Sequence, residues 1–262
     1  MHDFEVLTEN TPIVSCFKRN HSFAKLSNSF EQFWIYHKDF DITEFIGEHL
    51  ASIRGIRSVH YFPGCFGDKK QILQGGNNYK KRCIRTCSFE FKKESSKYFS
   101  SLSLYNIPMA KGNHWKFLLN NCKDYENMDE FINEVLELTA LDIYMEQRDR
   151  DHNIMYEKSC DGKLHLAPVF DYECSFYEND NDVGPYLYQN DLGVFGCVDD
   201  YWRLIEKYPQ FRKMLSSYLD VELEKEIRKM FDERGFSIKN FDFDFYNRCD
   251  ERNHKRLEKI LN

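Results

Sequence analysis

The chain has 262 residues with 36 basic and 43 acidic side chains, a net charge of −7, and a composition that is 42% hydrophobic and 16% aromatic. That length and apolar content exclude a small stapled module and a wholly disordered polymer, and the acidic balance argues against a general electrostatic grip on a phosphate backbone. One large domain, or two lobes sharing a cleft, is expected, with nucleic acid an unexpected partner. The nine cysteines are scattered and form no Cys-x-x-Cys pair, so they read as free, mostly buried thiols. Met1 to Glu5 carries acids where a secretory leader needs a basic start, and no apolar run approaches the roughly 18 residues of a membrane span, so a reducing cytoplasm and no membrane are expected.

From Cys16 to Lys38 the pattern predicts a hairpin: a strand, a polar tip over residues 20–29, and an aromatic-rich second strand over 30–38. Asp41 then opens an amphipathic helix in which Phe45, Ile46, His49, Leu50 and Ile53 recur at helical spacing, with Gly55 as the stop. Two further strands are expected over 56–62 and 83–91, joined by a loop through Gly75 and Gly76. Asn127, three residues before Glu130, resembles a capping box ahead of a strongly apolar helix running to Met145, apolar on more than one face and therefore a core pillar. Helices are expected over 199–218, over 221–234 with Gly235 as the stop, and over 251–261. A β-rich front and a helical back suggest two lobes, 1–92 and 93–262, facing one cleft.

The most informative stretch is Gln147-Arg148-Asp149-Arg150-Asp151-His152-Asn153, polar throughout and set between the apolar helix and the strand Ile154-Met155-Tyr156. Asp161-Gly162 reads as a two-residue hairpin turn, after which the chain returns through residues 164–170 to Asp171, Tyr172 and Glu173. In that register Asn153 pairs with Phe170, which brings Asp149, Asn153 and Asp171 to one end of the hairpin. Carboxylates so placed repel by about 4 kcal/mol per pair at 4 Å and an effective dielectric near 20, so a cation or an arginine must intervene. An Asn and an Asp suit Mg²⁺, and a separate Asp can accept the proton of an attacking hydroxyl, the division of labour of phosphoryl transfer. The bland alternative is a surface salt-bridge network in which Arg148, Arg150 and His152 neutralise the acids. In the front half, Lys38 at a strand end and Glu44 at a helix start can form the ion pair that holds an ammonium against nucleotide phosphates, with Glu48 the competing carboxylate.

These motifs resemble those of the HipA-like serine/threonine kinases, a branch of the protein-kinase fold. Residues 44–56 are similar to the family's glutamate-bearing helix, 141–153 to its catalytic segment, and 166–175 to its Leu-Ala-Pro-(Leu/Val)-(Tyr/Phe)-Asp metal-binding segment. Cys87-Ser88-Phe89 falls at the hinge, and the resemblance covers roughly residues 30–180. It implies an α+β, two-lobed protein-kinase-like fold, with a β-rich N-lobe, a mostly helical C-lobe, and ATP and Mg²⁺ as cofactors. It also implies Lys38 on the phosphates with Glu44 as its partner, Phe89 at the nucleotide, Asp149 as catalytic base, and Asn153 with Asp171 on the metal. The substrate it implies is Ser or Thr of a protein, including the chain itself, and the partner an antitoxin-like protein. Asp149 and Asn153 stand one residue closer together than is usual in the family, Asp151 replaces its usual His, and no Gly-x-Gly-x-x-Gly occurs near the first hairpin.

Three alternatives stay open. A pseudokinase or nucleotide-binding interaction module would have lost transfer through the altered loop. A lipid kinase of related fold shares the Asp-Arg-His-like opening. A metal-dependent phosphoesterase or nuclease could use Asp149, Asp151, His152, Asp171 and Glu173, but it leaves Lys38 and Glu44 without a task. The basic residues Arg248, Arg252, His254, Lys255, Arg256 and Lys259 are read as a solvated helix face, and the aromatic residues of 241–246 as core.

Overall fold

The structure, a computed structural model, describes residues 6–7, 22–25, 33–36, 41–66, 84–89, 95–100, 125–147, 150, 153–176, 198–236, 238–239 and 241–262. The expected residues Lys38, Asp149, Asp151 and His152 lie outside them. Among the described residues a five-stranded sheet has the order β1-β4-β5-β3-β2, formed by Val6–Leu7 (β1), Ser22–Lys25 (β2), Phe33–Tyr36 (β3), Tyr61–Phe66 (β4) and Ile84–Phe89 (β5). All pairs are antiparallel except β1 with β4. The first hairpin is present, but β2 lies inside the stretch expected to be its loop, because Ser22 pairs with Tyr36 and Lys25 with Phe33. Phe89 ends β5 opposite Trp34.

Helix α1, Ile42–Ile53, forms where the apolar spacing predicts it. The Asp41 carboxylate caps it by accepting from the Thr43 N–H at 2.8 Å, Phe45, Ile46, Leu50 and Ala51 are buried, and Gly55 follows its end at φ 70°. Helix α2, Met128–Met145, is the expected pillar, with twelve of its residues buried, among them Phe131, Leu136, Leu141 and Tyr144. The capping box is not made. Instead the Asn127 side chain donates to the Leu164 carbonyl at 2.8 Å and accepts from the Leu164 N–H at 3.1 Å, satisfying a strand's backbone rather than the helix's.

A three-stranded sheet, β6-β7-β8, combines Lys97–Ser100, Met155–Lys158 and Leu164–Leu166. Its second hairpin corrects the expected register by one residue: Tyr156 pairs with Leu166 and Lys158 with Leu164. The turn holds three residues, not two, closed by Ser159 N–H to Lys163 O and Gly162 N–H to Ser159 O, both at 3.0 Å, with Gly162 at φ 85°. A three-residue loop ending in a left-handed glycine is the next most common hairpin connection, and Asp-Gly serves it as well as it serves a two-residue turn. Pairing with β7 stops near Ala167, and Val169 turns away to bond Arg57 and Val59 beside α1. Asn153 therefore does not pair with Phe170 across the ladder.

Four helices complete the described chain: α3, Val198–Lys207; α4, Pro209–Ser216; α5, Leu223–Arg234; and α6, Phe243–Leu261. The single helix expected over 199–218 is two, because Pro209 lacks the N–H needed to continue the first and takes the N1 position of the second. The last helix begins at Phe243 rather than Glu251, capped by Asp242, which accepts from the Phe245 N–H at 3.0 Å. Phe231, Phe236, Phe241, Phe243, Phe245 and Tyr246 form a run of ring contacts between α5 and α6, the packing role expected of the aromatic residues of 241–246. The basic face of α6 is less solvated than expected, since Arg252 and Arg256 both bind the buried Glu146 at the end of α2.

Candidate active site

Helix α1, strand β4 and the segment after β8 meet at Asp171. This residue has φ 64°, a left-handed conformation that costs a non-glycine residue roughly 1–2 kcal/mol and that Asp tolerates better than most. Four hydrogen bonds hold the turn in place. Arg150 Nη1 donates to the Phe170 carbonyl at 2.6 Å, the Asp171 N–H donates to Tyr61 Oη at 2.8 Å, Gln147 Nε2 donates to the Asp171 carbonyl at 2.7 Å, and the Tyr172 N–H donates to Glu44 Oε2 at 2.8 Å. Strain kept by this many partners marks a conformation the fold enforces.

Arg150 explains how the polar loop reaches this turn. Its guanidinium is buried and bidentate on the buried Asp142 of α2, donating from Nε to Oδ2 and from Nη2 to Oδ1, both at 3.0 Å, and the same group donates to the Asn153 carbonyl at 3.3 Å. One arginine thus ties α2 to the backbones of both Asn153 and Phe170, which brings the Asn153 and Asp171 segments side by side by a route other than the expected strand pairing. The arginine is an internal brace, so the reading of it as part of a solvated surface network does not hold.

Glu44 is 2% exposed. Burial first, and then the charge of Asp171, push its carboxyl up to about 8, against the lowering effect of the Tyr172 N–H and the Tyr61 hydroxyl. Burial and the nearby Glu44 charge push the Tyr61 phenol well above its ordinary value, so it stays protonated, donating to Glu44 while accepting from Asp171. Carboxylate oxygens of Glu44, Asp171 and Glu173 all lie within 4.8 Å of one another, and among the described residues no salt bridge reaches Glu44. Such a group of hard oxygens is stabilised by protonation or by a cation and is suited to a divalent ion.

The competition between Glu44 and Glu48 is resolved by partners. Glu48 accepts from the Tyr61 N–H at 2.8 Å, stands 2.7 Å from His60 Nδ1 and pairs with Arg234 at 2.7 Å, one helical turn beyond Glu44. Glu44 is the one that meets the Asp171 turn. Sequence reasoning missed Tyr61, Gln147 and Tyr172. Tyr172 packs so closely on α1 that a Cβ at Gly47 would lie 2.2 Å from its ring, its hydroxyl donates to Ser58 at 3.0 Å, and Arg150 lies 5.2 Å from its ring centroid. A glycine inside an amphipathic helix was the one available signal of that close approach. Phe89, Asn153 and Asp171 are placed as described, with Lys38 and Asp149 outside the described residues.

No protein-family model matches the chain, and no curated protein sequence does. Solved structures do. The crystal structure of the Helicobacter pylori proinflammatory kinase CtkA aligns with a TM-score of 0.51 at 14% identity, covering 98% of this chain and 99% of that one. The Shewanella oneidensis MR-1 toxin–antitoxin HipA, solved with HipB and operator DNA, aligns with a TM-score of 0.61 at 12% identity, covering 97% of this chain. The fold is that of the HipA-like kinases. This chain spans 66% of the HipA chain's length, and its mixed strand and helix content agrees with the expected α+β class. Among the described residues, no helix is long and apolar enough to cross a membrane.

Proposed function

We propose that the chain is an ATP- and Mg²⁺-dependent kinase that transfers the γ-phosphate to Ser or Thr of a protein, itself included. The observation that carries this reading is the Asp171 turn, held left-handed beside the buried Glu44 of α1 in a fold shared with HipA and CtkA. In this reading residues 1–92 form the nucleotide-binding lobe and 93–262 the catalytic lobe of a two-lobed kinase. Asn153 and Asp171 would hold Mg²⁺, whose charge offsets that of the phosphates. The oxygen-rich donor set around Asp171 fits a hard cation. Lys38, partnered by Glu44, would contact the phosphates, Phe89 the adenine side of the nucleotide, and Asp149 would take the proton of the attacking hydroxyl. The HipA–HipB complex motivates an antitoxin-like partner, and a cytoplasmic location follows from the same reading.

The test is transfer of radiolabelled γ-phosphate from ATP in magnesium by the purified chain, alone and with a generic protein acceptor. Asp149→Ala and Asp171→Ala should each abolish transfer while leaving the melting temperature within a few degrees of the parent. Transfer that survives both substitutions would falsify the assignment. The close spacing of Asp149 and Asn153 favours one alternative, a nucleotide-binding module without transfer. A rise in melting temperature with ATP and Mg²⁺ but no labelled product would select that module, because a ligand bound only by the folded state stabilises it by mass action.

A further inference from the structure

Arg234, in the last turn of α5, reaches two other elements at once. Its Nη2 pairs with Glu48 of α1 at 2.7 Å, its Nη1 donates to the Tyr61 carbonyl of β4 at 2.6 Å, and its guanidinium carbon lies 5.4 Å from the centroid of the Phe45 ring. Glu48 in turn accepts the Tyr61 N–H at 2.8 Å. Both peptide groups flanking the Tyr61 side chain are therefore gripped by charged groups that also grip each other. The phenol so oriented supplies the acceptor for the Asp171 N–H and the donor for Glu44. An ammonium would have to reach Glu48 and the carbonyl from a single nitrogen on a flexible stem, whereas the planar fork of arginine meets them with two nitrogens held in one geometry. Apolar packing against α1 does not rest on this clasp alone, since Phe236, two residues past the end of α5, meets the Phe45 ring edge-on at 5.1 Å.

We propose that Arg234 is a positioning residue for the Asp171 turn, acting through Glu48 and Tyr61 and touching neither the turn nor any substrate. The argument for positioning stands on the contacts; only its consequence for phosphate transfer rests on the kinase reading.

The experiment is residue-resolved amide hydrogen exchange on the full chain, parent against Arg234→Met and Arg234→Lys. In Arg234→Met the amides of Asp171 and Tyr172 should exchange at least about tenfold faster, with the β7 amides unchanged, as expected for a local opening. Arg234→Lys, which keeps the Glu48 pair but loses the second bond, should fall between. The companion kinetic measurement should show kcat down by about a hundredfold, the order that a 1 Å misplacement of a reacting group costs, with KM for ATP changed by less than about twofold. Unchanged exchange at Asp171 and Tyr172, or a uniform acceleration across the chain, would overturn the proposal. If the parent transfers no phosphate, the kinase reading fails and the exchange arm still decides the positioning. Should Arg234→Met not fold, Glu48→Gln opens the other half of the clasp and is read in the same way.

Discussion

Two buried carboxylates, both acting on Tyr172, are treated in opposite ways. Asp142, within α2, faces the bidentate guanidinium of Arg150, and the pair is closed off from solvent. Glu44, within α1, is as deeply buried but faces a tyrosine hydroxyl, a backbone N–H and two more carboxylates. The first charge is neutralised inside the molecule and serves as a brace. Among the described residues the second faces like charges, a cost that a cation or an ammonium from a ligand or another segment can relieve.

The sharpest way to break this comparison is to remove the brace. Arg150→Met strands Asp142 and should cost about 3–5 kcal/mol in denaturant unfolding, whereas Arg150→Met combined with Asp142→Leu should recover much of that loss, because an apolar pair of similar volume escapes the desolvation penalty. A single variant as damaging as the double one would mean that Arg150 matters for packing rather than charge.

Glu44 predicts the reverse sign. Its carboxyl is raised from 4.5 to about 8, so between those values the folded chain holds a proton that the unfolded chain has lost. Its contribution is complete below pH 4.5 and is lost as the pH rises toward 8, with a slope of up to about 1.4 kcal/mol per unit. Glu44→Gln should therefore flatten the stability profile over this window, with magnesium and nucleotide absent, and be more stable than the parent at pH 8 while losing phosphate transfer. A parent whose stability does not fall over that window would place Glu44 with the compensated charges.

Next in size is Gly47→Ala, which sets a methyl group 2.2 Å from the Tyr172 ring and should cost about 1–3 kcal/mol by overpacking, with transfer reduced because α1 and the Asp171 turn are pushed apart. The smallest expected effect is Gly162→Ala at the hairpin turn. No atom lies within 4 Å of the new Cβ, so only the φ of 85° is penalised, by about 1 kcal/mol, with transfer unchanged. Equal losses of activity from the two glycine substitutions would show that the site responds to global stability rather than to the contact between α1 and Tyr172.

Periodicity sufficed for α1 and α2, because an apolar stripe at helical spacing with an Asp at one end and a Gly at the other has few other uses. It also placed Glu44 in the first turn of α1, whereas Asp171 lies in a turn beyond β8 rather than at the end of a paired strand. It did not locate β2, whose Ser-Phe-Ala-Lys pattern is set by pairing with β3 and has little intrinsic strand preference. The hairpin register slipped by one because Asp-Gly is compatible with two loop lengths, and only the packing of Leu164 and Leu166 chooses between them. Tyr61 and Gln147 act through backbone groups distant in sequence, and no spacing rule reports such contacts. Asp142 was legible in principle: a lone acid among Leu141, Ile143 and Tyr144 in a helix buried on several faces requires a cation.

The last helix bears on how the molecule tolerates redesign. Two of its guanidinium groups grip Glu146, the left-handed residue that turns the chain from the α2 pillar toward the polar loop. Stripping positive charge from this helix to make the protein more soluble would thus unfasten a hinge pin rather than polish a surface. Swapping Lys255 or Lys259 instead leaves that fastening alone.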